Sequence, residues 1–327
     1  MAQPLRVGLL GCAEIAWRNV LPAFQRVPDV VVTAVASRTP PKAEQYAARF
    51  GAAPVVGYAA LLARTDVDLV YIALPASLHH MWARRALNAG KHVLLEKPLT
   101  VSLAEAEDLV TVARKQRRWL TENLMFQHHS QHAAVRERNA RGDIGVPQAF
   151  SAAFGIPRRA ADDIRYRAEL GGGALLDVGV YPTRAASLLL GDDLDIAGAV
   201  LRVDADGVDL SGAALLHTPG GVTADLTFGF ESAYRSTYAV WGSEGRISLD
   251  RAFTPPPSMR PTLRLCRQDH VQEFSLPPDD QYANLIRGFV ASIRSGSDFA
   301  PHGEELVRQA ATVERIRRAA RLATPTA

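Results

Sequence analysis

From Leu5 to about residue 122 the chain alternates short apolar runs with longer amphipathic stretches, and this rhythm restricts the fold more than any other feature of the sequence. Leu5–Leu10, Val30–Ser37, residues 68–73 and His92–Leu95 predict strands, while 19–25, 41–50, 79–89 and 103–117 predict helices. Strands separated by helices pair in parallel through right-handed crossovers, so an N-terminal, doubly wound parallel sheet of the Rossmann type is expected. The punctuation agrees: Ser102 is placed to cap the helix from Leu103, with Glu105 in its first turn, and Gly90 stops the helix before His92.

After about residue 145 the rhythm changes to successive β-type runs at 148–154, 196–203, 212–217, 222–230, 237–241 and 262–266. Turn signals such as Pro219-Gly220-Gly221 and Gly242-Ser243-Glu244-Gly245 separate several of them, which predicts a large, mostly antiparallel sheet. A helix is expected from near Gly173 past Ala186 and another helical region over 282–322, with little to hold the tail from Ala323 to Ala327. At 327 residues the chain fits two domains, read as 1–122 and 123–327, in an α/β architecture with a C-terminal α+β part.

A net charge of +3, with no basic run beyond Lys115-Gln116-Arg117-Arg118, argues against nucleic acid as a partner. The chain shows no charged-then-apolar leader and no apolar stretch of about 18 residues, so no membrane partner is expected. Only two cysteines occur, and Cys12 lies where a disulfide would obstruct a loop; a reducing, cytoplasmic setting is expected.

Gly8-Leu9-Leu10-Gly11-Cys12-Ala13-Glu14-Ile15-Ala16 follows the first strand and opens the first helix. A tight turn there lets backbone amides and the positive helix end meet a pyrophosphate, provided that small residues stand where the chain approaches the ligand. The Gly-x-Gly-x-x-Gly spacing survives as Gly11, Ala13 and Ala16, and a plain strand-turn-helix corner would look much the same; the repeated βαβ context favours a dinucleotide. The second strand ends Ala36-Ser37-Arg38 with no acidic residue for a ribose 2′-hydroxyl. A hydroxyl and a guanidinium suit a 2′-phosphate and hence NADP(H), although Arg38 also reads as a solvated loop arginine.

Leu94-Leu95-Glu96-Lys97-Pro98 ends a buried strand, and strand carboxyl ends are where open α/β sheets bind ligands. Lys97 is therefore a candidate for a cleft, against the simpler reading of a surface lysine. Gly171 through Tyr181 forms a second cluster in which three glycines precede a helix carrying Asp177 and Tyr181 one turn apart. Singly, Tyr181 reads as a core aromatic and Asp177 as a helix-surface acid.

With these motifs the chain resembles the glucose-fructose oxidoreductase / inositol dehydrogenase / rhizopine catabolism protein (Gfo/Idh/MocA) family, whose marks are the N-terminal phosphate loop, the Glu-Lys-Pro triplet and the Asp-x-Gly-x-aromatic segment. The resemblance covers nearly the whole chain. Gly11-Cys12-Ala13 with Ile15-Ala16-Trp17-Arg18, Asp163 through Tyr166, Gly171 through Pro182, and Phe253-Thr254-Pro255-Pro256 resemble in particular its sugar C-3 ketoreductases of deoxysugar biosynthesis. Many members carry a histidine where Tyr181 stands, a departure that these ketoreductases share. The resemblance implies an NADP-dependent oxidoreductase that reduces the C-3 ketone of a dTDP-linked 3,4-diketo-2,6-dideoxyhexose.

Hydride delivery to a ketone builds negative charge on its oxygen, so a proton donor must stand within reach; Lys97 and Tyr181 are the catalytic candidates, held as a pair. A phenol, with an ordinary pKa near 10, needs a cation such as Lys97 to work at neutral pH. Cofactor contacts are expected from Gly11, Cys12, Ala13, Ile15, Ala16, Trp17, Arg18, Ser37, Arg38, Leu74, Pro75, His79, Glu96, Lys97, Arg165 and Asp177. Substrate contacts are expected from Lys97, Asn123, Phe126, His128, Tyr181, Tyr234 and Thr254. His129 and His132 lack a carboxylate at ligand spacing, so no metal is expected and the pair reads as a solvated helix start. The rival readings are a dehydrogenase of a free sugar, polyol or diol on the same fold, and a non-catalytic dinucleotide sensor. A broad sheet needs a cover on its second face, which predicts a homodimer or homotetramer.

Overall fold

A computed structural model describes residues 3–324, and they fall into two compact units. One runs up to Met125 and resumes over Tyr282–Ala310; the other takes Phe126–Gln281 and the chain from Ala311 onward.

In the first unit β1 (Leu5–Leu10), β2 (Val30–Ser37), β3 (Ala53–Val56), β4 (Leu69–Ile72), β5 (His92–Leu95) and β6 (Leu120–Glu122) form one sheet in the order β3-β2-β1-β4-β5-β6. Every pairing is parallel, as the alternating pattern requires. Val7, Leu9 and Leu10 of β1, all of β4 and Val93–Leu95 of β5 are fully buried, because crossover helices cover both faces of a parallel sheet. Those helices are α1 (Leu21–Gln25), entered through a π-helical turn at Ala16–Val20, then α2 (Pro40–Phe50), α3 (Tyr58–Leu62), α4 (His79–Asn88) and α5 (Leu103–Gln116). Ser102 does cap α5, its Oγ accepting from the Glu105 amide at 3.4 Å. The order of the strands reverses beside β1, which puts the carboxyl ends of β1 and β4 at a topological switch point. Strand β6, of three residues, is too short to show a period in the sequence, and β3 holds Pro54, which argues against a strand except at the sheet edge where β3 lies.

The sequence pattern assigns all of 123–327 to the second lobe, whereas residues 282–310 return to the first unit. There the Asn19 amide donates to the Tyr282 hydroxyl at 3.2 Å, Arg294 pairs with Asp29, Thr121 Oγ1 meets His302 Nε2 at 2.9 Å, and Leu306 joins the core around β5 and α5. An amphipathic helix announces that it has an apolar face, not which core receives it.

The second unit begins with α6 (Ser130–Ala140) and is built on a nine-stranded sheet: β7 (Pro147–Gly155), β8 (Asp195–Val203), β9 (Asp209–His217), β10 (Thr223–Gly229), β11 (Arg235–Gly242), β12 (Arg246–Asp250), β13 (Thr262–Arg267), β14 (His270–Ser275) and β15 (Ala320–Ala323). The order is β14-β13-β12-β11-β7-β10-β9-β8-β15, antiparallel except where β10 meets β7 and β15 meets β8. Phe150, Phe154, Leu201, Leu216, Leu226, Phe228, Tyr238 and Val240 point to one buried face, over which α7 (Val180–Leu190) packs on β7 and β10. The opposite face carries Ser151, Val200, Ala213, Leu215, Thr227 and Trp241, all exposed. The helical region expected over 282–322 is two helices, Gln281–Ser295 and Ala300–Ala319, and it ends there because the chain gains a strand's hydrogen bonds along β8; the part of the tail past Thr324 lies outside the described residues.

Candidate active site

The loop after β1 is held by its glycine. Gly11 has φ 100°, and a Cβ there would collide with the Ala73 carbonyl oxygen at the end of β4. Only glycine lets the chain cross so close to the neighbouring strand. Ala16 is fully buried, so a methyl fits at the third small position of the motif. The Ala13 carbonyl accepts from the Tyr46 hydroxyl at 3.2 Å. Cys12 Sγ approaches the Lys42 carbonyl at 3.6 Å, and burial pushes its thiol up to about 11, so it stands there as a neutral group. Ile15 is half-buried; Trp17 packs on Tyr46 and Phe50 with the Arg49 guanidinium 4.1 Å above it; and Arg18 is exposed and pairs with Glu14 at 2.5 Å.

At the end of β2, Ser37 Oγ accepts from the Thr39 amide at 3.2 Å, and the exposed Arg38 lies beside Tyr58, whose phenol pKa burial raises while Arg38 works in the opposite direction. No carboxylate stands at this strand end.

The ends of β4 and β5 carry a buried cluster of polar side chains, among them His79, Glu96, Glu122 and Asn123. From Val93 to Thr100 every residue is buried except Lys97. Glu96 turns inward: its Oε1 accepts from the Tyr71 hydroxyl and from the Asn123 amide, each at 2.6 Å, and burial raises its pKa against both bonds and against Lys97. Glu122 Oε1 accepts from the Leu99 amide at 2.7 Å. His79 is buried with Nδ1 2.8 Å from the Pro98 carbonyl and Nε2 2.9 Å from the Leu74 carbonyl. Glu96, Asn123 and His79 thus spend these polar atoms on the protein, where the sequence predicts ligand contacts for them; Leu74 and Pro75 form the half-buried loop that His79 holds.

In the second unit a parallel arrangement recurs. Between Gly173 and Ala186 every residue is buried except Asp177. A π-helical turn, Leu175–Gly179, precedes α7, and such turns collect at functional sites because they re-aim side chains without ending the helix. Asp177 Oδ2 accepts from Arg165 Nε at 2.7 Å, and Asp163 takes Arg165 Nη1 through both oxygens, at 3.1 and 3.3 Å. Burial opposes the arginine's charge, but the two carboxylates outweigh it and hold its pKa above the ordinary value. The sequence does not single out Asp209, yet its Oδ2 accepts from the Leu175 amide at 2.6 Å, and its Oδ1 occupies the place where a Cβ on Gly173 would stand. Its only signal is an acid at the start of a strand, which does not disclose the helix it caps.

Tyr181 is buried among Phe154, Phe126 and Phe253, with ring centroids 4.9, 5.8 and 5.8 Å away. Phe126 is itself fully buried, and His128 is exposed. Tyr234 and Thr254 meet through their hydroxyls at 2.6 Å, with Arg251 stacked 4.4 Å over the tyrosine ring. His129 and His132 are not a solvated helix start: both are buried, His129 Nδ1 accepting from the Gln131 amide to cap α6 and His132 Nδ1 meeting the Tyr238 hydroxyl at 2.9 Å. The cap places His129 against the protein instead of water, and the aromatic cluster of Phe126 and Tyr238 encloses His132.

Residues 5–124 match the family described as oxidoreductase family, NAD-binding Rossmann fold, and residues 132–248 match the GFO/IDH/MocA C-terminal domain. The chain belongs to this oxidoreductase family. Among its relatives, the dTDP-3,4-didehydro-2,6-dideoxy-alpha-D-glucose 3-reductase of Actinomadura kijaniata is 51% identical over 98% of this chain and 97% of its own length. The enzyme of the same name from Saccharopolyspora spinosa is 48% identical over 98% and 99%. A crystal structure of a 3-ketoreductase from Actinomadura kijaniata, in complex with NADP and TDP-benzene, superposes with a TM-score of 0.97 at 50% identity over 99% of this chain and all of that one. Among the described residues no helix of this family member is long and apolar enough to cross a membrane.

Proposed function

We propose that this GFO/IDH/MocA oxidoreductase is an NADPH-dependent reductase of the C-3 ketone of a dTDP-linked 3,4-diketo-2,6-dideoxyhexose, a step in the deoxysugar biosynthesis of antibiotics and similar natural products. One observation carries the reading: Lys97, at the carboxyl end of β5, is the one residue of a fully packed octet that reaches the surface, in a chain about half identical, end to end, to reductases of that name. The first unit holds the cofactor and the second the sugar. Gly11 lets the loop after β1 cross close against Ala73, in the position from which such a turn offers its amides to a pyrophosphate, and Ser37 with Arg38 suits a 2′-phosphate because no carboxylate repels it.

NADPH, when bound, supplies the hydride. The chain's own residues supply the proton and the order: Lys97 and Tyr181 are assigned to the ketone oxygen, where an ammonium or a phenol O–H steadies the developing negative charge and donates to it. Asp177, fixed by Arg165, orients a ligand hydroxyl. The aromatic wall around Tyr181 keeps bulk water from the phenol. The enzyme works as a homodimer or homotetramer and takes no nucleic acid or membrane as a partner. The two unpaired cysteines accord with a cytoplasmic setting.

The test follows NADPH absorbance with the dTDP-linked diketosugar, with free sugars and with vicinal diols in the reverse direction. Turnover of the nucleotide sugar, together with a loss of kcat of roughly 10²-fold in Lys97→Ala and a clear loss in Tyr181→Phe, is the expected result. Activity on free sugars or diols with none on the nucleotide sugar would replace this reading with a dehydrogenase of the same fold.

A further inference from the structure

Lys97 is held from both sides by buried side chains, and one of them is placed to govern it. Before it, Glu96 donates its backbone N–H to the Ile72 carbonyl at 3.0 Å and its carboxylate is clamped by Tyr71 and Asn123. After it, the Leu99 amide donates to Glu122, and the Pro98 carbonyl faces His79 Nδ1 at 2.8 Å. The other nitrogen of the same ring stands 2.9 Å from the Leu74 carbonyl. His79 therefore spans two loops, the one after β4 and the one after β5.

Both of its neighbours are acceptors, and a neutral imidazole has one N–H to give. Burial lowers its pKa, with Lys97 acting in the same direction, so the ring is neutral at neutral pH. The contact with Pro98 is fully buried while that with Leu74 is partly open. A carbonyl that no water can reach loses most when it goes without a donor, which places the proton on Nδ1.

We propose that His79 is a positioning residue for Lys97: its Nδ1–H holds the Pro98 carbonyl and so fixes the backbone from which the lysine side chain projects. This rests on the assignment of Lys97 to the ketone oxygen.

Asparagine and glutamine separate the two contacts, because the Asn amide nitrogen occupies the place of Nδ1 and the Gln amide nitrogen that of Nε2. His79→Asn is expected to keep kcat within about threefold of the parent, and His79→Gln and His79→Leu to lose about tenfold or more, with the dissociation constant for NADPH, read by fluorescence titration, changed less than threefold in all three. Added to Lys97→Ala, His79→Gln should cost no further kcat. In the cofactor-free protein labelled with ¹⁵N-histidine, the His79 ring should show its proton on Nδ1.

Equal losses in the Asn and Gln variants, an additive loss on the Lys97→Ala background, or a proton resident on Nε2 would each overturn the proposal. A Lys97→Ala variant as active as the parent would instead remove the assignment of Lys97, a result distinct from all of these.

Discussion

The sequence directs Arg165 toward a bound cofactor, yet in the folded chain its guanidinium already bridges Asp177 and Asp163. Its nearest task is to fix Asp177, the one opening in a packed helical run. Gly11 is the opposite case, a residue whose task the motif spells out. With φ 100° and the Ala73 oxygen standing where a Cβ would go, Gly11→Ala must displace the loop. Strain of this kind costs about 1–3 kcal/mol. The expected result is a dissociation constant for NADPH raised by roughly tenfold or more, with a loss of thermal stability; titration and calorimetry check it, and unchanged binding would mean that the loop does not touch the cofactor.

At the level of elements, the π turn over Leu175–Gly179 and the start of α7 depend on a strand residue remote in sequence. Burial pushes the Asp209 carboxyl up to about 6 from its ordinary 3.8. A folded-state pKa raised in this way stabilises the fold below about pH 3.8 relative to neutral pH, and that contribution is lost as the pH rises through about 6. Asp209→Asn keeps an oxygen for the Leu175 amide and has no charge to bury. Measured against the parent by denaturant unfolding, it should gain stability between pH 4 and pH 8, by roughly 1.4 kcal/mol for each pH unit that separates the folded and unfolded pKa values; a difference that does not change with pH would contradict this. The same distance in sequence explains why Asp209 has no signature: a cap from within a helix is legible as Ser102 is before α5, but a cap from another strand has no local pattern.

For the whole molecule two consequences follow. His132 is enclosed by aromatic rings, and burial holds its pKa at about 3. A depressed histidine contributes stability in full above about pH 6.5 and loses it progressively as the pH falls toward 3, so acid should unfold the second unit early. Between pH 7 and pH 5 the loss should reach roughly 2 kcal/mol, at about 1.4 kcal/mol per pH unit, and most of it should disappear in His132→Asn, which keeps a nitrogen opposite the Tyr238 hydroxyl. Unfolding curves at the two pH values decide it; an equal loss in parent and variant would assign the acid sensitivity elsewhere. The second consequence concerns the open face of the nine-stranded sheet, where Val200, Leu215 and Trp241 are 47, 46 and 63% exposed. A second copy covering this face would make Leu215→Arg with Trp241→Glu shift the sedimentation coefficient to that of a monomer, whereas a parent that is already monomeric at micromolar concentration would refute the assembly.

The sequence by itself determined the parallel sheet, the glycine turn after β1 and the place of Lys97 just past a strand end, because each is written within one stretch of chain: a period, a turn that needs glycine, an apolar run that ends in the adjacent charges of Glu96 and Lys97. Tertiary structure alone decided which core receives residues 282–310, that Asp209 caps a helix far from it in sequence, that His129 and His132 are buried, and that His79 and Asn123 hold protein partners. These are pairings between distant segments, and the energy of a buried hydrogen bond or an apolar face depends on a partner that local periodicity does not name.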